Sequence, residues 1–353
     1  MAPEPLLATR AQQAFIATIT IQAIAVLVLV GLVFHKIDDN VDLHQTRYKT
    51  VPCYLALFAL GELFELLMAF DALRLRNIIQ LFGILIFHLC LVVFAALQIH
   101  QTNTALIKIP NVDCAVNFVF ANCEGPGTLW NEIRPLLIAA PCIIGGSWLF
   151  MIFFIKQLYS EFGWAIFHVV GANPKMKTMY QWYQIMICLL KFDFFFFGAV
   201  TMQLLIVVLQ HNSAEFGVTI AAIPVVLVLL VLCGLAAQRE IKAIMIISLV
   251  MMPAALSYCV YKLVRMYSAA SSGQYLTTRA TLTTFTIVAF ILLLGTFIVG
   301  VRCFTEFDRG LLNSKVHSVP ASRPPPKSYN SGGNMTAKDS TSGIPLGPRI
   351  SIE

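Results

Sequence analysis

The chain has 353 residues, of which 58% are hydrophobic and only 12% are charged. A soluble domain carries about 25% charged residues, and a mean hydropathy of +0.78 excludes a water-soluble fold, because lipid must cover part of so apolar a surface. The net charge of +6 does not indicate nucleic-acid binding, since the basic residues lie in loops and in the tail instead of forming one patch.

Eight apolar runs are long enough to cross a bilayer as helices, which takes about 20 residues. These predicted spans are 14–34, 51–70, 78–99, 135–155, 182–209, 217–236, 243–261 and 281–301. The first run is longer than the roughly 7–15 apolar residues of a cleavable signal, so we expect it to be retained. The sixth and seventh runs are separated only by AQREIK, whose three charges are costly in lipid, so we expect a tight turn at the membrane surface. The sequence therefore predicts an all-α, polytopic transmembrane helix bundle of eight spans, with seven spans as the alternative.

The distribution of Lys and Arg predicts that both termini are cytoplasmic. With eight spans, the cytoplasmic segments contain 15 of these residues, seven of them after the last span, and the outer loops contain 8. The predicted organisation is a short cytoplasmic N-terminus (1–13), a helix bundle (14–310) with an outer loop (100–134), and a cytoplasmic tail (311–353).

Two cysteines, Cys114 and Cys123, lie in the outer loop 100–134, well away from any predicted span. Because the eight-span topology places this loop in an oxidising compartment, we expect them to form a disulfide; two unpaired thiols are the alternative. The tail is rich in Ser, Pro and Gly, a composition that predicts disorder. It is either a solvated segment or a binding site for a cytoplasmic adaptor.

Charged residues at membrane depth are the main candidates for function, because an ionised group there needs a partner. Lys191 and Asp193 lie in the fifth predicted span, two residues apart and so on nearly opposite sides of a helix. Glu62 and Glu65 share one face of the second span. Helix rise places Glu65 and Lys191 at a similar depth, about 7 Å from the midplane, which predicts that they pair.

This predicted cluster of Glu62, Glu65, Lys191 and Asp193 has two interpretations. It is either polar glue that fixes how the helices pack or a relay in which carboxylates pass a proton. Other polar residues in the spans, Gln22, His88 and Gln203, are expected to be satisfied contacts.

Enzyme signatures are not found in the sequence, including G-x-x-x-x-G-K-[ST], H-E-x-x-H and G-x-S-x-G. The seven histidines are scattered and do not have the spacing of metal ligands. A group of Asp and His in 35–47 comes closest to a metal site, and an ordinary solvated loop is the preferred interpretation. We therefore predict no catalytic residue, no metal and no cofactor.

Four stretches of the sequence form a recognisable set: FDALRLRNIIQLFG after span 2, YQIMICLLKFDFFFF in span 5, and QRE and YKLVRMY around span 7. Together they resemble an uncharacterised family of fungal Golgi apparatus membrane proteins. The resemblance implies a polytopic Golgi membrane protein with no assigned activity. It also implies that the Lys191–Asp193 stretch and Asp71, Arg74, Asn77 and Gln80 belong to the family pattern.

Three functions are compatible with these observations. The first is a non-enzymatic membrane protein of the Golgi or secretory pathway that supports transport or trafficking, with lipid as its main partner. The second is a proton-coupled small-solute transporter that uses the charged cluster. The third is a seven-span receptor, which would have an odd number of spans. Oligomeric state and cargo have no signal in the sequence.

Overall fold

The computed structural model describes residues 7–40, 50–104, 106, 128–170, 174–208, 214–267 and 279–307. In these ranges the chain is helical and contains no strand. The eight helices are α1 (Arg10–Asn40), α2 (Thr50–Leu75), α3 (Ile78–Asn103), α4 (Leu129–Val170), α5 (Pro174–Val208), α6 (Ala214–Arg239), α7 (Lys242–Tyr267) and α8 (Arg279–Thr305). The tail 311–353 and the pair Cys114 and Cys123 lie outside the described residues.

Each of the eight predicted spans is a helix, so the predicted all-α bundle is confirmed. Seven of the eight described helices are long and apolar enough to cross a membrane. The eighth, α6, has a shorter apolar segment, Pro224–Arg239. Most helices extend beyond the predicted limits, because hydropathy falls at the first polar residues while backbone hydrogen bonds continue. The 42 residues of α4 extend about 63 Å at about 1.5 Å per residue, twice the thickness of a hydrocarbon core of about 30 Å.

Two tight turns join α2 to α3 and α6 to α7, and both have the same backbone geometry. Arg76 and Glu240 have positive φ angles of 48° and 55°. In each turn the next N–H bonds a carbonyl five residues earlier, from Asn77 to Ala72 at 3.1 Å and from Ile241 to Ala236 at 3.1 Å. This is the hydrogen bond that closes a helix end in the Schellman motif. The predicted tight turn in AQREIK is therefore confirmed.

The helices pack as two groups of four. In the N-terminal helix group α1 packs on α2 and α4, and α3 packs on α2 and α4. In the C-terminal helix group α5 packs on α6 and α8, and α7 packs on α6 and α8. The same neighbour order thus occurs twice along the chain, and α5 connects the two groups by packing against α2 and α3.

Polar contacts at both ends of α1 and α4 show that these helices are antiparallel. Gln12 donates to Glu161 near the start of α1, and Lys36 contacts Glu132 at 2.7 Å near its end. These contacts are about 36 Å apart along α1, which leaves room for an apolar slab between them. We call the end where α1 begins and the α2–α3 and α6–α7 turns lie the turn end, and the opposite end the loop end.

A set of phenylalanines fills the contact between the two helix groups. We call it the phenylalanine seam, and it consists of Phe64, Phe87, Phe192, Phe195 and Phe196. Phe64 stacks on Phe195 with ring centroids 4.5 Å apart, and Phe87 meets Phe195 edge-on at 5.1 Å. Aromatic pairs with these geometries stabilise packing beyond the area they bury.

A glycine allows α3 and α5 to approach closely at the seam. A Cβ added to Gly83 would lie 2.8 Å from Phe192 Cε2 and 3.2 Å from Cys188 Sγ. Real Cβ atoms do not come so close to another atom. The hydrogen of Gly83 is therefore required for this packing.

Candidate functional site

Two glutamates of α2 lie side by side inside the N-terminal helix group. Glu62 and Glu65 are three residues apart, which places them on one face of the helix, and both are 0% exposed. A buried carboxylate is costly unless it is paired, hydrogen-bonded or protonated. The neighbours of these two residues therefore determine what the site can do.

Glu65 is paired with a histidine of α3. Glu65 Oε1 lies 2.5 Å from His88 Nδ1, and both side chains are fully buried. The other ring nitrogen, Nε2, lies 2.9 Å from the main-chain oxygen of Ile144 and 3.0 Å from Ser147 Oγ, both on α4. The imidazole therefore joins α2, α3 and α4.

The contact with Ile144 indicates where the protons of this pair lie. A carbonyl oxygen only accepts hydrogen bonds, so the tautomer that satisfies the Ile144 contact carries a hydrogen on His88 Nε2; in the other tautomer Nε2 accepts from the Ser147 hydroxyl. With a hydrogen on Nε2, Nδ1 is either a second donor to a Glu65 carboxylate or an acceptor from a protonated Glu65. In both of these arrangements one proton lies between Nδ1 and Glu65 Oε1, and the pair has no net charge.

Glu62 has a weaker set of partners. Gln22 of α1 donates from Nε2 to Glu62 Oε2 at 2.6 Å. Among the described residues, Glu62 Oε1, Glu65 Oε2 and Gln22 Oε1 are buried side-chain atoms with no hydrogen-bond partner. Two adjacent carboxylates with incomplete hydrogen bonding, next to an imidazole, make an arrangement in which a proton can be bound and exchanged.

The sequence analysis predicted Gln22 and His88 to be separate polar contacts and missed that they complete this site. The short α2–α3 turn around Arg76 could have indicated that Glu65 and His88 meet. Glu65 is eleven residues before Arg76 and His88 is twelve residues after it, and two such positions meet in an antiparallel hairpin. We call Gln22, Glu62, Glu65, His88 and Ser147 the carboxylate–histidine cluster.

The predicted pairing of Glu65 with Lys191 is wrong. Lys191 Nζ contacts Asp71 Oδ2 and donates to Gln80 Oε1 at 3.0 Å. Gln80 also donates to Asp71 Oδ2 at 2.9 Å, so three side chains from α2, α3 and α5 form one junction.

Helix length and side-chain reach explain this difference. Because α2 continues to Leu75, past the predicted end of its span, it presents Asp71 closer to the turn end. The long Lys191 side chain reaches towards that end, where 27% of its own surface and 35% of the Asp71 side chain remain exposed. A partly exposed ion pair near the turn end has a smaller desolvation cost than one beside Glu65 in the fully buried interior.

Asp193 faces a different part of the molecule. Thr296 of α8 donates to Asp193 Oδ2, and Asp193 Oδ1 is another buried atom without a partner among the described residues. Lys191 therefore joins α5 to the N-terminal helix group, while Asp193 points into the C-terminal helix group. Their opposite directions follow from the 200° that two helical residues turn.

The four predicted residues are thus distributed over three sites. Glu62 and Glu65 belong to the carboxylate–histidine cluster, Lys191 to the junction with Asp71, and Asp193 to a contact with Thr296. A cavity of about 200 Å³ lies between α6, α7 and α8 and has almost entirely apolar walls. None of the four predicted residues lines it.

Comparisons with known proteins identify one relevant relative. No family model matches the chain, and no solved structure matches it. The chain is similar to a UPF0658 Golgi apparatus membrane protein of Schizosaccharomyces pombe, with 26% identity over 312 residues, covering 84% of this chain and 87% of the relative. The resemblance to an uncharacterised family of fungal Golgi membrane proteins is therefore confirmed.

Proposed function

We propose that this chain, like the similar fission-yeast protein, resides in the Golgi membrane, where it supports transport without enzyme chemistry. The relative's name supports the location. The eight described helices and the excess of Lys and Arg in the segments assigned to the cytoplasm support a topology with both termini on that side. Seven of the eight described helices are long and apolar enough to cross a membrane, so a seven-span receptor with its termini on opposite sides is the alternative topology.

The function that the geometry supports best is proton-coupled movement of a small solute, with the carboxylate–histidine cluster as the proton site. The observation that carries this proposal is the contact of His88 with both Glu65 and the Ile144 carbonyl. In this proposal the proton between Glu65 and His88 is the one that exchanges. Structural hydrogen bonding alone does not require a second carboxylate, Glu62, beside this pair.

The proton steps balance within the cluster. When Glu62 binds a proton, the cluster changes from one net negative charge to none. The proton then passes from Glu62 to the unpaired Oε2 of Glu65. The Glu62 O–H bond breaks and a Glu65 O–H bond forms, so that Glu62 regains its negative charge and the Glu65–His88 pair carries one positive charge. No atom other than the proton is transferred, so no cofactor is needed.

Polar glue remains the second candidate, because one specific observation favours it. Glu62, Glu65 and His88 are all 0% exposed, and a purely structural cluster has no need of contact with water. The two functions differ in a testable way, since only a proton site must exchange protons with the solvent while the protein works.

Lumenal pH in cells tests the proposed function. The gene is deleted, a fluorescent pH reporter is targeted to the Golgi lumen, and the strain is complemented with wild-type protein, Glu65→Gln or Lys36→Met. Lys36→Met is the matched control, because it removes an exposed contact with Glu132 that lies far from the cluster.

We expect deletion to shift lumenal pH, wild-type protein and Lys36→Met to restore it, and Glu65→Gln to fail although it reaches the Golgi in normal amounts. Restoration by Glu65→Gln to the wild-type value would contradict the proton site. A tagged protein found in a different membrane would contradict the Golgi assignment.

A further inference from the structure

Two polar links join the two helix groups, one at each end of the phenylalanine seam. At the turn end, Lys191 of α5 binds Asp71 and Gln80 of the N-terminal helix group. At the loop end, Gln101 of α3 donates to Thr281 Oγ1 of α8, and the Tyr54 hydroxyl also hydrogen-bonds Thr281. Both links are formed in this structure, so the seam is closed at both ends.

The seam between the links contains almost no other polar chemistry among the described residues. Phe64 and Phe87 of the N-terminal helix group pack against Phe192, Phe195 and Phe196 of α5. Only Phe64 and Phe195 are stacked, and the other pairs are edge-on or tilted. The seam is therefore apolar packing without hydrogen bonds, and the polar links are the hydrogen-bonded contacts between the two groups.

The seam is also directly connected to the carboxylate–histidine cluster. Phe64 is adjacent in sequence to Glu65, and Phe87 is adjacent to His88. A rearrangement at Glu65 and His88 that shifts α2 against α3 also moves both rings. Through these two helices, protonation at the cluster can act on packing at the seam.

We propose that the two helix groups rock against each other about the phenylalanine seam, with the Lys191–Asp71–Gln80 link as the gate at the turn end and the Gln101–Thr281 link as the gate at the loop end. This inference rests on the proposed transport function and adds the moving parts to it. The structure with both links formed is the closed intermediate. Opening one gate exposes the seam to one side of the membrane.

The turn-end gate is a partly exposed ion pair, with side chains 27% and 35% exposed, and the loop-end gate is a hydrogen bond between neutral side chains. Ion pairs that face water change an equilibrium only a few-fold. Gates of this strength can open on a functional timescale, whereas a fully buried ion pair would hold the groups together.

Distances between spin labels test the inference on the full-length protein in lipid nanodiscs, with the natural cysteines replaced. One label pair, at Arg74 and Gln238, reports on the turn end, and the other, at Asp39 and Val264, reports on the loop end. All four positions are exposed, and each pair spans the two helix groups. Pulsed electron paramagnetic resonance gives the distribution of each distance.

Lys191→Met and, separately, Asp71→Asn should increase the population of longer turn-end distances about two- to five-fold relative to wild type. Thr281→Val should do the same for the loop-end pair. The charge-swapped double variant, Asp71→Lys with Lys191→Asp, should return the turn-end distribution towards wild type. Lys36→Met is the matched control, because its contact with Glu132 lies within one helix group, and it should change neither distribution.

The inference is wrong if both single variants at the turn end retain the wild-type distribution, or if Lys36→Met alters it equally. The charge swap separates gating from general loss of packing, since a misfolded variant would not be restored by it. This failure is distinguishable from failure of the proposed function. If the label distances never change but Glu65→Gln still fails to restore lumenal pH, the gates are wrong and the proton site stands.

Discussion

Gly83→Ala probes the close contact of α3 with α5 on which the phenylalanine seam depends. The added methyl carbon would lie 2.8 Å from Phe192 Cε2, where ordinary contacts begin at 3.4 Å, so the ring must retreat by about 0.6 Å. The Phe192 ring has little room to retreat, because Phe64 and Phe87 both contact it with centroids 5.8 Å away. Overpacking of this kind costs about 1–3 kcal/mol.

The higher helix propensity of alanine stabilises the variant, and this gain must be subtracted from the cost of overpacking. Alanine is more favourable than glycine inside a helix by about 1 kcal/mol. Gly145 of α4 has no atom within 4 Å of an added Cβ, so Gly145→Ala reports this gain alone. The difference in unfolding free energy between the two variants should therefore be about 1–3 kcal/mol, with Gly83→Ala the less stable.

The assay is equilibrium unfolding in mixed micelles, followed by helix content as the fraction of denaturing detergent increases. In a Phe192→Leu background the aromatic edge is removed, so Gly83→Ala should lose most of its penalty, and the double-mutant cycle should give a non-zero coupling. Equal stability of Gly83→Ala and Gly145→Ala would refute the reasoning, because it would mean that the ring does not occupy this space.

Two further predictions concern the polar contacts near the turn end. Asn77→Ala should lower the unfolding free energy by about 1 kcal/mol, because Asn77 Oδ1 caps the first turn of α3; a loss of only a few tenths in the same unfolding assay would show that the cap is not needed. Lys191→Met and Asp71→Asn should be non-additive in a double-mutant cycle. By contrast, Lys191→Met and Glu65→Gln should be additive, and strong coupling between them would favour the pairing that the structure rejects.

The sequence was sufficient to predict the eight helices, because hydropathy depends only on local composition. Each predicted apolar run corresponds to a helix, and the charges of AQREIK correctly indicated a turn. The helical residues outside the predicted spans, such as those of α4 beyond 135–155, could not be predicted from hydropathy. Polar residues continue a helix whenever neighbouring helices supply contacts, as Glu161 does for Gln12.

The candidate site was harder to predict because it depends on which helices are neighbours. The sequence correctly indicated that Glu62 and Glu65 share one face, since that follows from helical periodicity alone. It could not show that Glu65 meets His88 and that Lys191 meets Asp71, since both pairings require the arrangement of α2, α3 and α5. Depth along the bilayer normal alone indicated Glu65 as the partner of Lys191, because it does not take into account how far a lysine side chain reaches towards the membrane surface.

The central claim is that Glu62, Glu65 and His88 hold a proton that exchanges with water. Difference infrared spectroscopy of the full-length protein in nanodiscs, between acidic and alkaline buffer, measures it directly. We predict a protonated-carboxyl stretching band that disappears on the alkaline side, shifts in D₂O and is absent from Glu62→Gln, whereas Lys36→Met retains it. A spectrum in which wild type and Glu62→Gln are identical across the pH range where both stay folded would contradict the account.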